Sequence, residues 1–143
     1  MGVDARQETR GIIVAKPTLE RILLVEDEPD IQAIARIALE MVGGFKIEVC
    51  NSGVEALQKA PEFTPDLILL DVMMPVMDGP GTLVALRKLT ATAATPVIFM
   101  TAKVHPSEVA EYKKLGALDV IAKPFDPMQL ASNIRTIWSA VYE

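Results

Sequence analysis

The sequence predicts a doubly wound α/β fold: one sheet of five parallel strands in the order 2-1-3-4-5, with helices on both faces. Two observations lead there. Five short apolar runs, at 22–25, 46–50, 67–70, 97–100 and 118–122, alternate with stretches of helical periodicity. Three of them, Ile22–Val25, Leu67–Leu70 and Val97–Met100, are apolar without a break, as strands buried on both faces are. The other two are interrupted by Glu48 and Asp119 and read as sheet edges. With the first, third and fourth strands central, the order 2-1-3-4-5 follows. Ligands of such sheets bind at the carboxyl ends of the strands, where the winding direction reverses. Here that point lies between Asp27 and Asp71.

Residues 1–18 carry charges and glycine without periodicity and read as a loose extension, leaving 19–143 as the domain. Pro29 suits a first helical turn, and Ile31, Ile34, Ala35, Ala38, Met41 and Val42 share one face of a helix that Gly43-Gly44 ends. Ile47-Glu48-Val49 alternates as a half-buried strand does. Ser52 and Glu55 form a capping box opening a helix through Ala60, which Pro61 closes. Asp66–Leu70 is the third strand. Asp78-Gly79-Pro80 opens the third helix, which reaches about Leu89 and is followed by an Ala/Thr-rich loop to Pro96. Pro106 and Gly116 bracket the fourth. Asp126-Pro127-Met128-Gln129 supplies a cap, a first-turn proline and a third-position amide for the fifth helix. That helix aligns Leu130, Ile134, Ile137, Trp138 and Val141.

The length of 143 residues fits one domain with a real core. A net charge of -5 and a pI near 4.9 argue against a general nucleic-acid binder, because phosphate backbones need a basic surface. The single cysteine, Cys50, excludes an internal disulfide and reads as a packing residue. Met1–Lys16 lacks the apolar core of a signal peptide, and Gly11–Ala15 is far too short to cross a bilayer. The expectation is a cytoplasmic protein with neither membrane nor nucleic acid as partner.

Four of the five runs end in residues suited to phosphate chemistry. The first ends in Glu26-Asp27-Glu28, the third in Asp71, the fourth in Thr101 and the fifth in Lys123-Pro124. Parallel strands bring all four to one edge of the sheet. Like charges about 4 Å apart repel by roughly 4 kcal/mol at an effective dielectric of 20, so clustered carboxylates need a raised pKa or a bound cation. Oxygen ligands with room for water suit Mg²⁺. Thr101 offers a hydroxyl to a phosphoryl oxygen, and Lys123 an ammonium whose presentation Pro124 fixes. In the string from Asp71 to Gly79, the three methionines are expected to wall the aspartate.

At these residues the chain resembles a response-regulator receiver domain of the chemotaxis-regulator type. The resemblance covers about Arg21 to Tyr142 and rests on the acidic pair Glu26-Asp27, the string LLDVMMPVMDG, Thr101 and the terminal KPF. It implies a flavodoxin-like fold, Asp71 as phosphoacceptor, and Thr101 and Lys123 as its catalytic partners. It also implies Mg²⁺ (or Mn²⁺) on Asp27, Asp71 and the backbone carbonyl of Met73, with Glu26 acting through water. The Lys123–Pro124 bond is expected to be cis. The implied donor is a histidine kinase or a histidine phosphotransfer protein. The chain is then a signalling protein whose only chemistry is on itself, with an unidentified downstream protein as target.

Receivers signal through the face made by the fourth helix, fifth strand and fifth helix, where an aromatic on the fifth strand follows the threonine inward. The matching position is Val120, a departure that leaves Tyr112 or Phe125 as substitutes. Met73 and Lys103 occupy the positions that tune dephosphorylation. Rival chemistries fit less well. A phosphatase of the haloacid-dehalogenase type needs a second Asp where Met73 stands, and a flavin carrier needs a phosphate cradle where Glu26-Asp27-Glu28 would repel one. Nor does a Gly-rich dinucleotide loop occur. The remaining alternatives are a phosphate-independent adaptor with the same fold, and a phosphate relay or sink. With Glu143 following the fifth helix, a stand-alone regulator without an output domain is expected, and a receiver excised from a longer protein is the alternative.

Overall fold

The structure is a computed structural model and describes residues 18–143, so the extension assigned to 1–18 lies outside it except for Thr18. Five strands, β1 (Arg21–Val25), β2 (Lys46–Cys50), β3 (Leu67–Asp71), β4 (Val97–Thr101) and β5 (Asp119–Ala122), form one parallel sheet in the order β2-β1-β3-β4-β5. The helices are α1 (Pro29–Ile37), α2 (Gly53–Phe63), α3 (Gly79–Arg87), α4 (Pro106–Lys114) and α5 (Leu130–Tyr142). β1, β3 and β4 each lie between two neighbours, which is why their apolar runs are unbroken.

Alternation along each strand divides the core into two layers. Ile22, Leu24, Leu69, Ile98 and Met100 face α1 and α5, where they meet Ala35, Leu39, Ile134 and Trp138. Leu23, Val25, Leu70 and Phe99 face α2 and α3, meeting Ala56, Leu83 and Leu86. Cys50 is fully buried in this second layer, as a packing residue should be, and burial pushes its thiol up to about 12.

Register then positions the chemistry. Val25 pairs with both Cys50 and Leu70, Asp71 with Met100, and Thr101 with Ala122. The carboxyl ends of four strands are therefore level. Gly79 keeps α3 close behind the third of them: a Cβ there would lie 2.6 Å from the Asp71 carbonyl oxygen and 2.8 Å from the Val72 Cα. Both obstacles are backbone. Gly79→Ala is expected to destabilise the protein by about 1–3 kcal/mol, measurable by urea unfolding, whereas the same change at Gly44, with open space around it, adds only the cost of a positive φ.

Several elements differ from the sequence expectation. The first helix stops its regular winding at Ile37 and continues as one wide π turn over Ala38–Val42. Its buried residues are Ala35, Ala38 and Leu39, while Ile34, Met41 and Val42 are exposed. Apolar residues cover too much of this helix for spacing to choose a face, and the small Ala35 and Ala38 allow the closest approach to the sheet. Pro61 does not close α2 but sits in its last turn, where it costs one backbone hydrogen bond to the preceding turn. Arg21 holds that turn, with Nε donating to the Phe63 carbonyl at 2.8 Å and its guanidinium over the Phe63 ring.

The fifth helix begins at Leu130 rather than beside Asp126. Asp126 instead shapes a preceding turn, its carboxylate accepting from Met128 N–H at 2.9 Å and its carbonyl from Leu130 N–H at 3.0 Å. Val141 at its end is exposed, beyond the reach of the sheet. At the opposite edge, Asp66 accepts from the N–H groups of Glu20 and Arg21, 2.9 and 2.8 Å away, fixing the start of β1 against β3.

Candidate functional site

Glu26, Asp71, Thr101 and Lys123 are each the last residue of a strand or the first one after it. Glu26 extends β1, its N–H donating to the Cys50 carbonyl at 3.0 Å. Asp71 and Thr101 end β3 and β4, and Lys123 follows β5 with its N–H on the Thr101 carbonyl at 2.9 Å. Glu26 is fully buried, and Asp71 and Thr101 are each only 2% exposed. Such burial of charge requires partners.

Lys123 supplies them. Its Nζ donates to Glu26 Oε1 at 3.0 Å and to Asp71 Oδ1 at 3.2 Å. Carboxylate oxygens of Glu26, Asp27 and Asp71 lie within 4.8 Å of one another. Three carboxylates against one ammonium leave an excess of negative charge. Burial is the main cause of the raised Glu26 carboxyl, which reaches about 7 although the Glu28 N–H and Lys123 pull it down. Asp71 is raised as well, chiefly by burial, with Lys123 and the Met73 N–H opposing. Burial acts to lower the Lys123 ammonium, but its bonds to Glu26 and its attraction to Asp71 outweigh that and hold it above its usual value.

The donor set fits a hard divalent cation. Asp27 Oδ1 is buried and has no hydrogen-bond partner among the described residues, an orphaned acceptor aimed at no protein donor. It stands in the same cluster as Glu26 and Asp71, and oxygen-only ligands match Mg²⁺ or Mn²⁺. A raised carboxyl is stable as the neutral form, so its contribution is present below the unfolded value of 4.5 and is lost as pH rises toward about 7. Without divalent cations, stability is therefore expected to fall by on the order of 3 kcal/mol across that interval. Added Mg²⁺ should reverse the fall most strongly at the alkaline end. Thermal unfolding at pH 5 and pH 8 with and without Mg²⁺ reads this; equal midpoints at both pH values would contradict it.

The remaining site residues are placed as follows. Thr101 Oγ1 accepts from the Lys103 N–H at 3.1 Å, which leaves its proton free to donate. The Lys123–Pro124 peptide bond is cis. The methionines do not wall the aspartate together: Met74 is buried in the layer facing α2 and α3, Met73 is 66% exposed, and Met77 lies against the backbone of Gly53. Their loop turns too sharply for all three to point one way. Tyr112 and Val120 pack on the layer containing Phe99, whereas Phe125 packs on the opposite one, against the α1 and α5 side. Sequence reasoning missed an apolar groove beside Lys123, lined by Ile31, Ile34, Pro124, Phe125 and Pro127. The signal was the excess of isoleucines on α1, more than the core absorbs.

Comparison with known proteins agrees with this geometry. Residues 22–135 match the response regulator receiver domain. The chain belongs to that family. Among curated relatives of this receiver is the DNA-binding response regulator MtrA of Mycolicibacterium smegmatis, 36% identical over 81% of this chain and 49% of the relative. The probable transcriptional regulator ycf27 of Guillardia theta is 36% identical over 91% of this chain and 50% of its own length. The receiver thus spans about half the length of the curated relatives it matches.

Among solved structures, chemotaxis protein CheY4 of Vibrio cholerae aligns with a TM-score of 0.77 and 31% identity, over 84% of this chain and 99% of that one. No described helix is long and apolar enough to cross a membrane.

Proposed function

We propose that this receiver accepts a phosphoryl group on Asp71 from the phosphohistidine of a sensor kinase or phosphotransfer protein, and signals by contact with other proteins. The observation that carries the reading is the paired contact of Lys123 Nζ with Glu26 and Asp71 inside a three-carboxylate cluster. An Asp71 carboxylate oxygen forms the new O–P bond while the P–N bond of phosphohistidine breaks and the imidazole leaves. A carboxylate is a weak nucleophile, so positioning and charge neutralisation do most of the work.

Asp27, Asp71 and the Met73 carbonyl would hold Mg²⁺ or Mn²⁺, with Glu26 acting through water, and the ion would supply positive charge to offset that of the phosphoryl group. A magnesium ion is described in the active-site cleft of one relative, the receiver domain of a Pseudomonas aeruginosa sensor histidine kinase, at 27% identity, a TM-score of 0.73 and coverage of 85% of this chain and 99% of that one. Lys123, held in place by Glu26, transfers its contact from Asp71 to a phosphoryl oxygen. Thr101 donates its hydroxyl to another. Met73 and Lys103 flank the mouth and limit the water that later hydrolyses the acyl phosphate.

The donor's helix covers the groove of Ile31, Ile34, Phe125 and Pro127, because that apolar wall adjoins the lysine beside the phosphoacceptor. Ile34→Asp is expected to slow transfer from a cognate donor about tenfold, the value of one good interface contact. Phosphorylation by a small acyl phosphate, which needs no docking, stays at the parent rate. Equal slowing with both donors would contradict the docking role.

Output runs through α4, β5 and α5. No residue of α4 is fully buried, so this helix is the least anchored of the five. Tyr112 on α4 meets Phe99 edge-on, with ring centroids 5.3 Å apart, and Phe99 pairs in register with Val120. Tyr112 therefore stands in for the aromatic absent at Val120. An amide NMR correlation spectrum with Mg²⁺ and then beryllofluoride, a phosphoryl mimic, tests the reading. Shifts at Asp71, Thr101 and Lys123 that spread into α4 and β5 support it. Shifts confined to the pocket favour a relay or sink, and no response at all favours the phosphate-independent adaptor.

A further inference from the structure

Of the three carboxylates in the cluster, Asp27 alone has a buried oxygen with no hydrogen-bond partner among the described residues. Its aim is therefore set by the backbone on either side. Glu26, just before it, is held at four atoms. Its N–H donates to the Cys50 carbonyl at 3.0 Å, and its Oε1 accepts from Lys123 at 3.0 Å. Its Oε2 accepts from the Glu28 N–H at 3.1 Å, and its carbonyl accepts from Gln32 Nε2 at 2.6 Å. The first three belong to strand pairing, the site lysine and the turn itself. The fourth comes from α1.

Glu28, on the other side of Asp27, makes no side-chain cap bond to α1, and Pro29 has no N–H to offer. Gln32 holds the turn instead. Its backbone N–H donates to the Glu28 carbonyl at 2.9 Å, while its side-chain amide reaches back to the Glu26 carbonyl. A backbone carbonyl can only accept, which fixes the amide with its nitrogen toward Glu26. The second amide hydrogen goes to Asn51 Oδ1, also at 2.6 Å, in the loop after β2. The Asn51 N–H in turn donates to the Glu55 carboxylate of α2, which Lys59 pairs at 3.0 Å.

We propose that Gln32 is a positioning residue for the cation site: by holding the Glu26 carbonyl against the loop after β2, it keeps Asp27 Oδ1 turned into the carboxylate cluster. The inference rests on the reading of that cluster as a divalent-cation site. Gln32 contributes no ligand atom and acts through the turn from Glu26 to Glu28. Three carboxylates crowd one ammonium, and their repulsion favours swinging the half-buried Asp27 out to water. The Gln32 grip opposes that motion. The ligand is then arranged before the ion arrives, and less ordering remains to be done on binding.

Gln32→Met keeps the length and helix preference of the side chain and removes both hydrogen bonds. A Mg²⁺ titration followed by amide NMR shifts should show affinity about tenfold below the parent, the usual cost of losing a group that orients a metal ligand. Asn51→Ala, which frees the amide at its other end, should lose less, and the double variant no more than Gln32→Met alone. In the metal-free protein, hydrogen exchange at the Glu28 N–H should quicken in Gln32→Met. Phosphorylation by acetyl phosphate should need about tenfold more Mg²⁺ for half its maximal rate. It should still reach the parent rate at saturating Mg²⁺, which a general loss of folding would not allow. Parent-like Mg²⁺ affinity in Gln32→Met would overturn the inference. So would lost affinity with unchanged Glu28 exchange, or additive losses in the double variant. A parent protein that binds no Mg²⁺ would instead remove the cation reading on which the inference rests.

Discussion

Asp71→Asn is expected to reduce acyl-phosphate formation below detection, whether the donor is a kinase or a small acyl phosphate. An amide oxygen is far less nucleophilic than a carboxylate, and among the described carboxylates only Glu26 shares the Lys123 contact. Glu26 has the contact but is fully buried. The same substitution should raise the thermal midpoint of the metal-free protein. It removes one of the crowded carboxylates whose charge is disfavoured by burial, while keeping nearly the same shape. Mg²⁺ should then stabilise the variant less than the parent, since one ligand has lost its charge. Intact-protein mass spectrometry after incubation with acetyl phosphate and Mg²⁺ reads the first effect, and thermal unfolding the other two. A variant phosphorylated to the parent level would remove Asp71 from its assigned role.

Lys123→Ala carries the second large effect. The ammonium bridges residues 97 and 52 positions away in sequence, and both partners are almost completely buried. Its loss leaves two carboxyl groups facing each other without a cation. Breaking such a buried arrangement costs on the order of 3–5 kcal/mol if both groups remain charged. They escape part of that cost by holding protons, which lifts their pKa values further. The penalty is consequently smallest at acid pH and grows as pH rises past about 7, the value Glu26 already approaches in the parent. Mg²⁺ should still bind and should rescue much of the loss. Beryllofluoride shifts, by contrast, should no longer reach α4 and β5, because no ammonium remains to follow the phosphoryl oxygen. Parent-like spread of those shifts in the variant would refute the coupling role, and a stability loss independent of pH would refute the electrostatic account.

Much of the architecture was legible before any coordinates. Continuous apolar runs at β1, β3 and β4 mark strands covered on both faces, and the polar breaks at Glu48 and Asp119 mark edges, so which strands are central follows from burial. Helix faces were less legible. On α1 the isoleucines outnumber the positions that touch the sheet, and periodicity cannot say which of them face solvent. The start of α5 was displaced because Asp126 and Pro127 satisfy a turn as readily as a helix cap. The methionine string was misleading for a related reason: three flexible side chains in a tight loop separate according to local backbone direction, which composition does not encode.

The sequence by itself determined which groups stand at the strand ends: Glu26 and Asp27, Asp71, Thr101 and Lys123, each next to a run that had to be buried. It determined too that these ends share one edge, because parallel strands joined by helices all point the same way. Only the tertiary structure decided that Lys123 reaches Glu26 as well as Asp71, that Glu26 is sealed from solvent and that one oxygen of Asp27 is left without a partner. Those outcomes depend on register and on the depth of packing to within a fraction of an ångström. Electrostatic energies in a low-dielectric crevice change steeply over such distances, while the residue order that encodes the strands is indifferent to them.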